Sequence, residues 1–144
     1  MKKVLSIVGT SNRGKTTLLN ALIPLFKQRG YAVCVIKHSA SLLTYTDFDH
    51  QGKDTYSFSE AGADEVWLTS PQFTYHSYGR EIPLTEMIEN SSADIVLVEG
   101  FKNSPYQKIL IKEPHENIDI TGEILLTIEG PYNVQKILEL ILHS

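Results

Sequence analysis

Near the N-terminus an apolar run, Lys3-Val4-Leu5-Ser6-Ile7-Val8, leads straight into Gly9-Thr10-Ser11-Asn12-Arg13-Gly14-Lys15-Thr16-Thr17. Leu18, Leu19, Leu22, Leu25 and Phe26 then recur at helical spacing. A buried strand, a short loop bounded by two glycines and an amphipathic helix in immediate succession leave few folds open. Gly9 and Gly14 allow a backbone path and a close approach that a Cβ would block. Successive backbone N–H groups in such a loop form a concave nest for anions. The helix beginning near Lys15 aims its positive end at the same point. Gly-x-x-x-x-Gly-Lys-Thr between a strand and a helix is the complete P-loop pattern. Its lysine reaches the β- and γ-phosphates of a nucleotide, and its threonine hydroxyl meets Mg²⁺.

Gly30 is placed to close the first helix, and Pro24 inside it predicts a kink. Tyr31 to Lys37 reads as a second buried strand, so strand, helix and strand form a βαβ unit with a parallel sheet and a right-handed crossover. Residues 38–52 show no periodicity and read as a polar loop. A short helix is expected from Asp54 to Ala61, stopped by Gly62. Residues 65–69 and 73–78 read as an antiparallel strand pair. A helix is expected near Pro83–Glu89, an apolar strand at Asp94–Val98, and further strands at Lys108–Lys112 and Glu123–Ile128. Pro131 is read as the first residue of a last helix, with Val134, Ile137, Leu138, Ile141 and Leu142 on one face. The expected fold is a single α/β domain over residues 1–144. It is a P-loop NTPase three-layer arrangement with a mostly parallel sheet and an antiparallel extension at 65–82.

Charge sharpens the picture. The net charge of −4 hides a split: residues 1–46 carry seven basic side chains and no acid, while residues 47–144 carry six basic side chains and all seventeen acids. The acidic whole argues against general nucleic-acid binding, while a local anion site in the first third stays open. Besides Lys15, Arg13 and Lys37 are candidates for phosphate; Lys2, Lys3, Lys27 and Arg29 are expected to supply a diffuse field. The single cysteine, Cys34, agrees with a reducing compartment and reads as core. No apolar run is long enough to cross a membrane. The glycine loop starts too early to leave room for a removable leader, so a cytoplasmic location is expected.

A second chemical element is Ile95-Val96-Leu97-Val98-Glu99-Gly100, an apolar strand ending in an acid, as in a Walker-B segment. Glu99 is therefore either a magnesium-side carboxylate, directly or through water, or simply a solvated strand end. Asp49 and Asp54 flank Gly52-Lys53; Asp54 is equally a helix N-cap. Lys37 and His38 end the second strand, at the sheet edge where ligands bind. His38, Asp47, Asp49 and His50 match no closed zinc spacing. No Ser/His/Asp arrangement, water-positioning Gln or base-reading Asn-Lys-x-Asp segment is visible, so guanine and adenine are not distinguished.

Several segments together resemble one family, the MobB adapter proteins of molybdopterin–guanine dinucleotide biosynthesis. They are GTSNRGKTTLL, ALIPLFKQRGYAVCVIKH, the stretch Asp47-Phe48-Asp49-His50-Gln51-Gly52-Lys53-Asp54-Thr55, Ala61-Gly62-Ala63, VEGFK at Val98–Lys102, and Lys108-Ile109. The ordered set spans residues 3–112, and a proline in the first helix looks like a family feature. The resemblance implies a P-loop fold, a homodimer and binding of GTP with Mg²⁺. It also implies weak GTP hydrolysis at most, and presentation of the nucleotide to a guanylyltransferase that joins GMP to molybdopterin. By matching position it assigns Gly9, Thr10, Ser11, Asn12, Arg13, Gly14, Lys15, Thr16 and Thr17 to phosphate, and Thr16 with Glu99 to magnesium. Lys37, His38, Asp49, Lys53, Asp54 and Lys102 line the site or its partner surface. The region after residue 112 matches no motif. A small-molecule kinase using the same loop is the alternative, though it needs an acceptor pocket and a lid with arginines.

Overall fold

The apolar run Ile95–Glu99 forms strand β5, buried at all five positions, as expected of a central strand in a parallel sheet. The computed structural model describes residues 2–10 and 12–144, with the side chains of Asn12 and Arg13 also outside the description. In chain order the other elements are β1 (Lys3–Gly9), α1 (Asn12–Gln28), β2 (Val33–Lys37), a single 3₁₀ turn (Tyr45–Asp47), α2 (Asp54–Glu60), β3 (Glu65–Thr69), β4 (Thr74–Tyr78) and α3 (Leu84–Asn90). After β5 come β6 (Lys108–Ile111), β7 (Ile124–Ile128) and α4 (Val134–Leu142). Contacts divide the chain into two compact units, residues 1–38 with 91–144, and residues 39–90.

The first unit is an α/β layer structure around a five-stranded sheet of order β2-β5-β1-β6-β7, parallel at every pairing. The βαβ reading therefore gains a member: β1 and β2 are not neighbours, because β5 lies between them. One face of the sheet packs Leu5, Ile7, Leu97 and Ile109 against Leu18, Leu22 and Phe26 of α1 and Ile137, Leu138 and Ile141 of α4. On the other face Val8, Val96, Val98 and Leu110 are buried as well. β2 is an edge strand paired only with β5. Of its residues only Ile36 is buried, and Val35 is 45% exposed. The expectation of a fully buried second strand fails for that reason, and Cys34 is half-buried rather than core.

Local chemistry sets the helix ends. Gly30 adopts φ 84°, while Tyr31 N–H donates to the carbonyl of Phe26 and Gly30 N–H to that of Lys27. These are the two bonds of a Schellman closure. Pro24 sits inside α1, which runs on to Gln28. At the other end of the unit, Pro131 precedes α4 rather than opening it. Asn133 is the N-cap, accepting from Lys136 N–H at 3.2 Å, because its side chain satisfies a free helix donor that proline cannot. Lys3 and Arg29 do more than supply a diffuse field. Lys3 Nζ donates to the carbonyl of Ile141 at 2.8 Å, capping the C-terminal end of α4, and Arg29 pairs with Glu139.

The second unit holds the antiparallel pair β3–β4, in register Glu65↔Tyr78 to Thr69↔Thr74. Trp67 stacks on His76 across the strands at 3.4 Å between ring centroids, and His76 also meets Glu65 at 2.9 Å. Trp67, Leu68, Phe73 and Tyr78 remain exposed. α2 begins after Lys53, which is its N-cap, so Asp54 is not the cap but an acid of the first helical turn. Its charge there complements the positive helix end.

Candidate nucleotide-binding site

Strand register builds the site. Gly9, the last residue of β1, pairs with Ile111, the last residue of β6. A Cβ on Gly9 would lie 2.3 Å from the Ile111 carbonyl oxygen, and one on Gly14 3.2 Å from Ile111 Cγ2. The Ile111 backbone thus demands the first glycine, while the second packs closely against the Ile111 side chain, and β6 forms the floor on which the loop rests. On the other flank, Ile7 pairs with Glu99. Gly100 N–H donates to the carbonyl of Ile7 at 3.1 Å, and His38 N–H to that of Glu99 at 3.1 Å. The end of β5 is therefore held from both sides, and Glu99 is fixed beside the start of α1.

Glu99 is 8% exposed. Thr16 Oγ1 faces its Oε1 at 3.5 Å, and Lys37 Nζ its Oε2 at 4.0 Å. Both contacts are loose for a buried carboxylate, which ordinarily takes short, charge-assisted partners. The donor set suits Mg²⁺. This ion prefers oxygen, binds few protein groups and leaves its remaining positions to phosphate and water. Adjacent ligands of an octahedral ion at about 2.1 Å lie about 3 Å apart, so a hydroxyl and a carboxylate oxygen at 3.5 Å need only a small adjustment. No cluster of three His, Cys, Asp or Glu side chains forms a protein cage among the described residues.

Lys15 is half-buried, and its side chain makes no hydrogen bond or ion pair among the described residues. Thr16 and Thr17 follow on α1. Thr10 is exposed and donates to Glu116. Ser11 and the side chains of Asn12 and Arg13 lie outside the described residues. The structure brings Lys37 and His38 to Glu99. The His38 ring meets that of Phe101 at 4.7 Å. Lys102 is exposed on the following turn, where its carbonyl accepts from Thr121 N–H at 3.1 Å. Asp49, Lys53 and Asp54 belong to the second unit. There Asp49 accepts from His50 N–H at 2.9 Å, and Lys53 and Asp54 open α2.

Three residues near the site escaped the sequence reading. Phe101 has φ 54°, in the left-handed region, directly after Gly100 at φ 100°. A bulky non-glycine residue there is uncommon and stores backbone strain. Lys108 is fully buried at the start of β6, where its ammonium donates to the carbonyls of Ser104 and, at 2.7 Å, Tyr106. It ties down the turn that follows Glu99, and burial lowers its pKa. A lysine heading an apolar strand was its signal. Glu116 accepts from Thr10 and from Glu113 N–H, and these hydrogen bonds hold its carboxyl below the usual value of 4.5. Nothing in the irregular segment around it announces that contact.

Residues 4–125 match the family described as Molybdopterin guanine dinucleotide synthesis protein B, MobB. The chain belongs to the MobB family. Among relatives, the molybdopterin-guanine dinucleotide biosynthesis adapter protein of Haemophilus influenzae is 38% identical over 115 residues, covering 75% of this chain and 62% of that protein. The Escherichia coli protein of the same description is 35% identical over 118 residues, covering 77% and 66%. The chain thus spans a little under two thirds of the length of these relatives. A crystal structure of molybdopterin-guanine biosynthesis protein B superposes with a TM-score of 0.68 at 25% identity, covering 97% of both chains. Bacillus subtilis MobB gives 0.70 at 23%, covering 96% and 97%, a likeness of fold. MobB structures are P-loop NTPase folds. Membership accounts for the order of motifs from the glycine loop to VEGFK and favours no kinase.

Proposed function

We propose that this MobB-family chain is a GTP-binding adapter in the making of molybdopterin guanine dinucleotide. It binds GTP with Mg²⁺ and assists a partner guanylyltransferase that joins GMP to molybdopterin. The observation that carries the reading is the buried carboxylate of Glu99 facing the Thr16 hydroxyl across the mouth of a complete P-loop. The names of the relatives supply the pathway.

In this reading the loop N–H groups and the positive end of α1 hold the phosphates. Lys15, which has no protein partner among the described residues, neutralises the β- and γ-phosphates. Thr16 and Glu99 are the residues that would hold magnesium, which when bound would neutralise charge on the same phosphates. Lys37 keeps the Glu99 side from accumulating net negative charge before the ligand arrives. Arg13, Asn12 and Ser11 complete the loop by sequence. Asp49, Lys53, Asp54 and Lys102 form its surroundings or the partner surface. The chain acts as a cytoplasmic homodimer, with residues 65–82 as the interface. The exposed side chains of Trp67, Leu68, Phe73 and Tyr78 on a two-stranded sheet support this, since such an edge is normally covered.

Calorimetric titration with GTP, GDP and ATP, with and without Mg²⁺, tests the core of the proposal. Magnesium-dependent GTP binding that Lys15→Ala abolishes, together with loss of stimulation of the partner enzyme, is the expected result. Rapid phosphorylation of a small acceptor by the pure protein would refute the adapter role. A monomer at micromolar concentration in light scattering would refute the dimer.

A further inference from the structure

A bound nucleoside triphosphate has a metal end and a base end. Magnesium held by Thr16 and Glu99 would neutralise the terminal phosphates, so Glu99, at the end of β5, marks the metal end. β5 and β6 flank β1 on opposite sides. A ligand whose phosphates lie over the loop between β1 and α1 therefore directs its nucleoside toward β6.

On that side the first unit has a cavity of about 550 Å³, lined by Leu110, Lys112, Glu116, Asn117, Ile118 and Asp119. It is of the size that small ligands occupy, and it is joined to the phosphate loop through Thr10, which donates to the lining residue Glu116. Its polar groups divide into two sets. Lys112 Nζ is engaged by the carbonyl of Glu116 at 3.0 Å and by Glu129 at 3.1 Å, leaving its methylene stem as wall. Glu116 is taken by Thr10 and by Glu113 N–H. Asn117 and Asp119 make no side-chain hydrogen bond or ion pair among the described residues.

We infer that this cavity is the base subsite and that Asp119 and Asn117 select guanine; the inference rests on the proposed GTP site. Leu110, Ile118 and the Lys112 stem offer apolar surface to the ring. The Asp119 carboxylate accepts from the two adjacent guanine donors, N1–H and the 2-amino group, and the Asn117 amide donates to O6. Adenine carries an acceptor at N1, which turns a lone pair toward the carboxylate, so adenine is rejected as well as unrewarded.

The test uses the full chain with Asp119→Asn, titrated with GTP, ATP, xanthosine triphosphate and inorganic tripolyphosphate in Mg²⁺. Asn in place of Asp presents an amide donor, which suits the 2-oxo group of xanthine. GTP affinity is expected to fall about 10- to 100-fold, xanthosine triphosphate to become the better ligand, and tripolyphosphate affinity to stay unchanged. The unchanged tripolyphosphate arm also shows that the variant is folded at the loop. Asn117→Ala should weaken GTP less and leave xanthosine triphosphate weak. Lys15-dependent GTP binding that is indifferent to Asp119 overturns the subsite alone. Equal affinity of the unaltered chain for ATP and GTP also overturns the subsite. Absence of all nucleotide binding by the unaltered chain overturns the GTP site, and this inference with it.

Discussion

The sheet unit and the 39–90 unit spend their hydrophobic residues in opposite ways. In the first, Leu5, Ile7, Leu22, Leu97 and Ile109 are buried almost completely, and the strand ends they anchor carry the polar side chains of the site. In the second, α2 has no buried residue, β3 buries only Val66, and four large apolar or aromatic side chains of the hairpin region face outward. Burial in one unit fixes atoms to within the tolerance that phosphate and metal binding require. Exposure in the other leaves apolar and aromatic side chains uncovered, which is the basis of the interface proposed for residues 65–82.

Substitutions at matched apolar positions should expose this division. Leu22→Ala, deep between α1 and the sheet, should cost about 2–5 kcal/mol in urea unfolding, through lost contacts and a residual cavity. Gly9→Ala comes next, at about 1–3 kcal/mol or more, because its Cβ meets a backbone oxygen that cannot move without shifting β6. Trp67→Ser should change the unfolding free energy of the isolated monomer by about 1 kcal/mol or less, while shifting the mass seen by light scattering from dimer to monomer. A loss as large as that of Leu22→Ala, with the mass unchanged, would erase the distinction between the units.

The smallest effect concerns the floor of the phosphate loop. Glu116 titrates below 4.5 chiefly because Thr10 donates to its charged form. A carboxyl depressed in the folded state adds stability that is fully present above the unfolded value, and loses it as pH falls through the folded one. The Thr10–Glu116 contact should therefore weaken only below about pH 4.5. Thr10→Val should move the Glu116 carbon resonance midpoint upward in an NMR titration. A midpoint that does not move would mean the loop is not tethered to the 112–119 segment.

Legibility followed the range of the interactions. The strands Glu65–Thr69 and Ile95–Glu99, the turn at Gly30 and the Gly9-to-Thr16 loop were readable because their causes are local: alternation, apolar runs, and glycine in backbone that other residues avoid. The position of β5 between β1 and β2 was not, since sheet order depends on pairings between segments 62 and 92 residues apart. The exposure of Val35 follows from that order and from nothing in its own neighbourhood. Pro131 was assigned to the helix by a preference that Asn133, two residues later, satisfies better. Within the candidate site, Lys15, Thr16 and Glu99 were legible through their motifs. Glu116 was not, because the contact that matters spans 106 residues and begins in an irregular loop.

The place of β5 between β1 and β2 also dictates an order of events during synthesis. β1 and β2 are made first, yet neither pairs with the other; each finds a neighbour in β5. Until residue 99 has left the ribosome, the first forty residues hold a helix and two strands with no sheet to join. The intervening 39–90 segment, whose strand pairing is local, is free to form before the sheet does. The glycine loop, though encoded within the first twenty residues, acquires its floor only when β6 arrives, because Gly9 rests against Ile111.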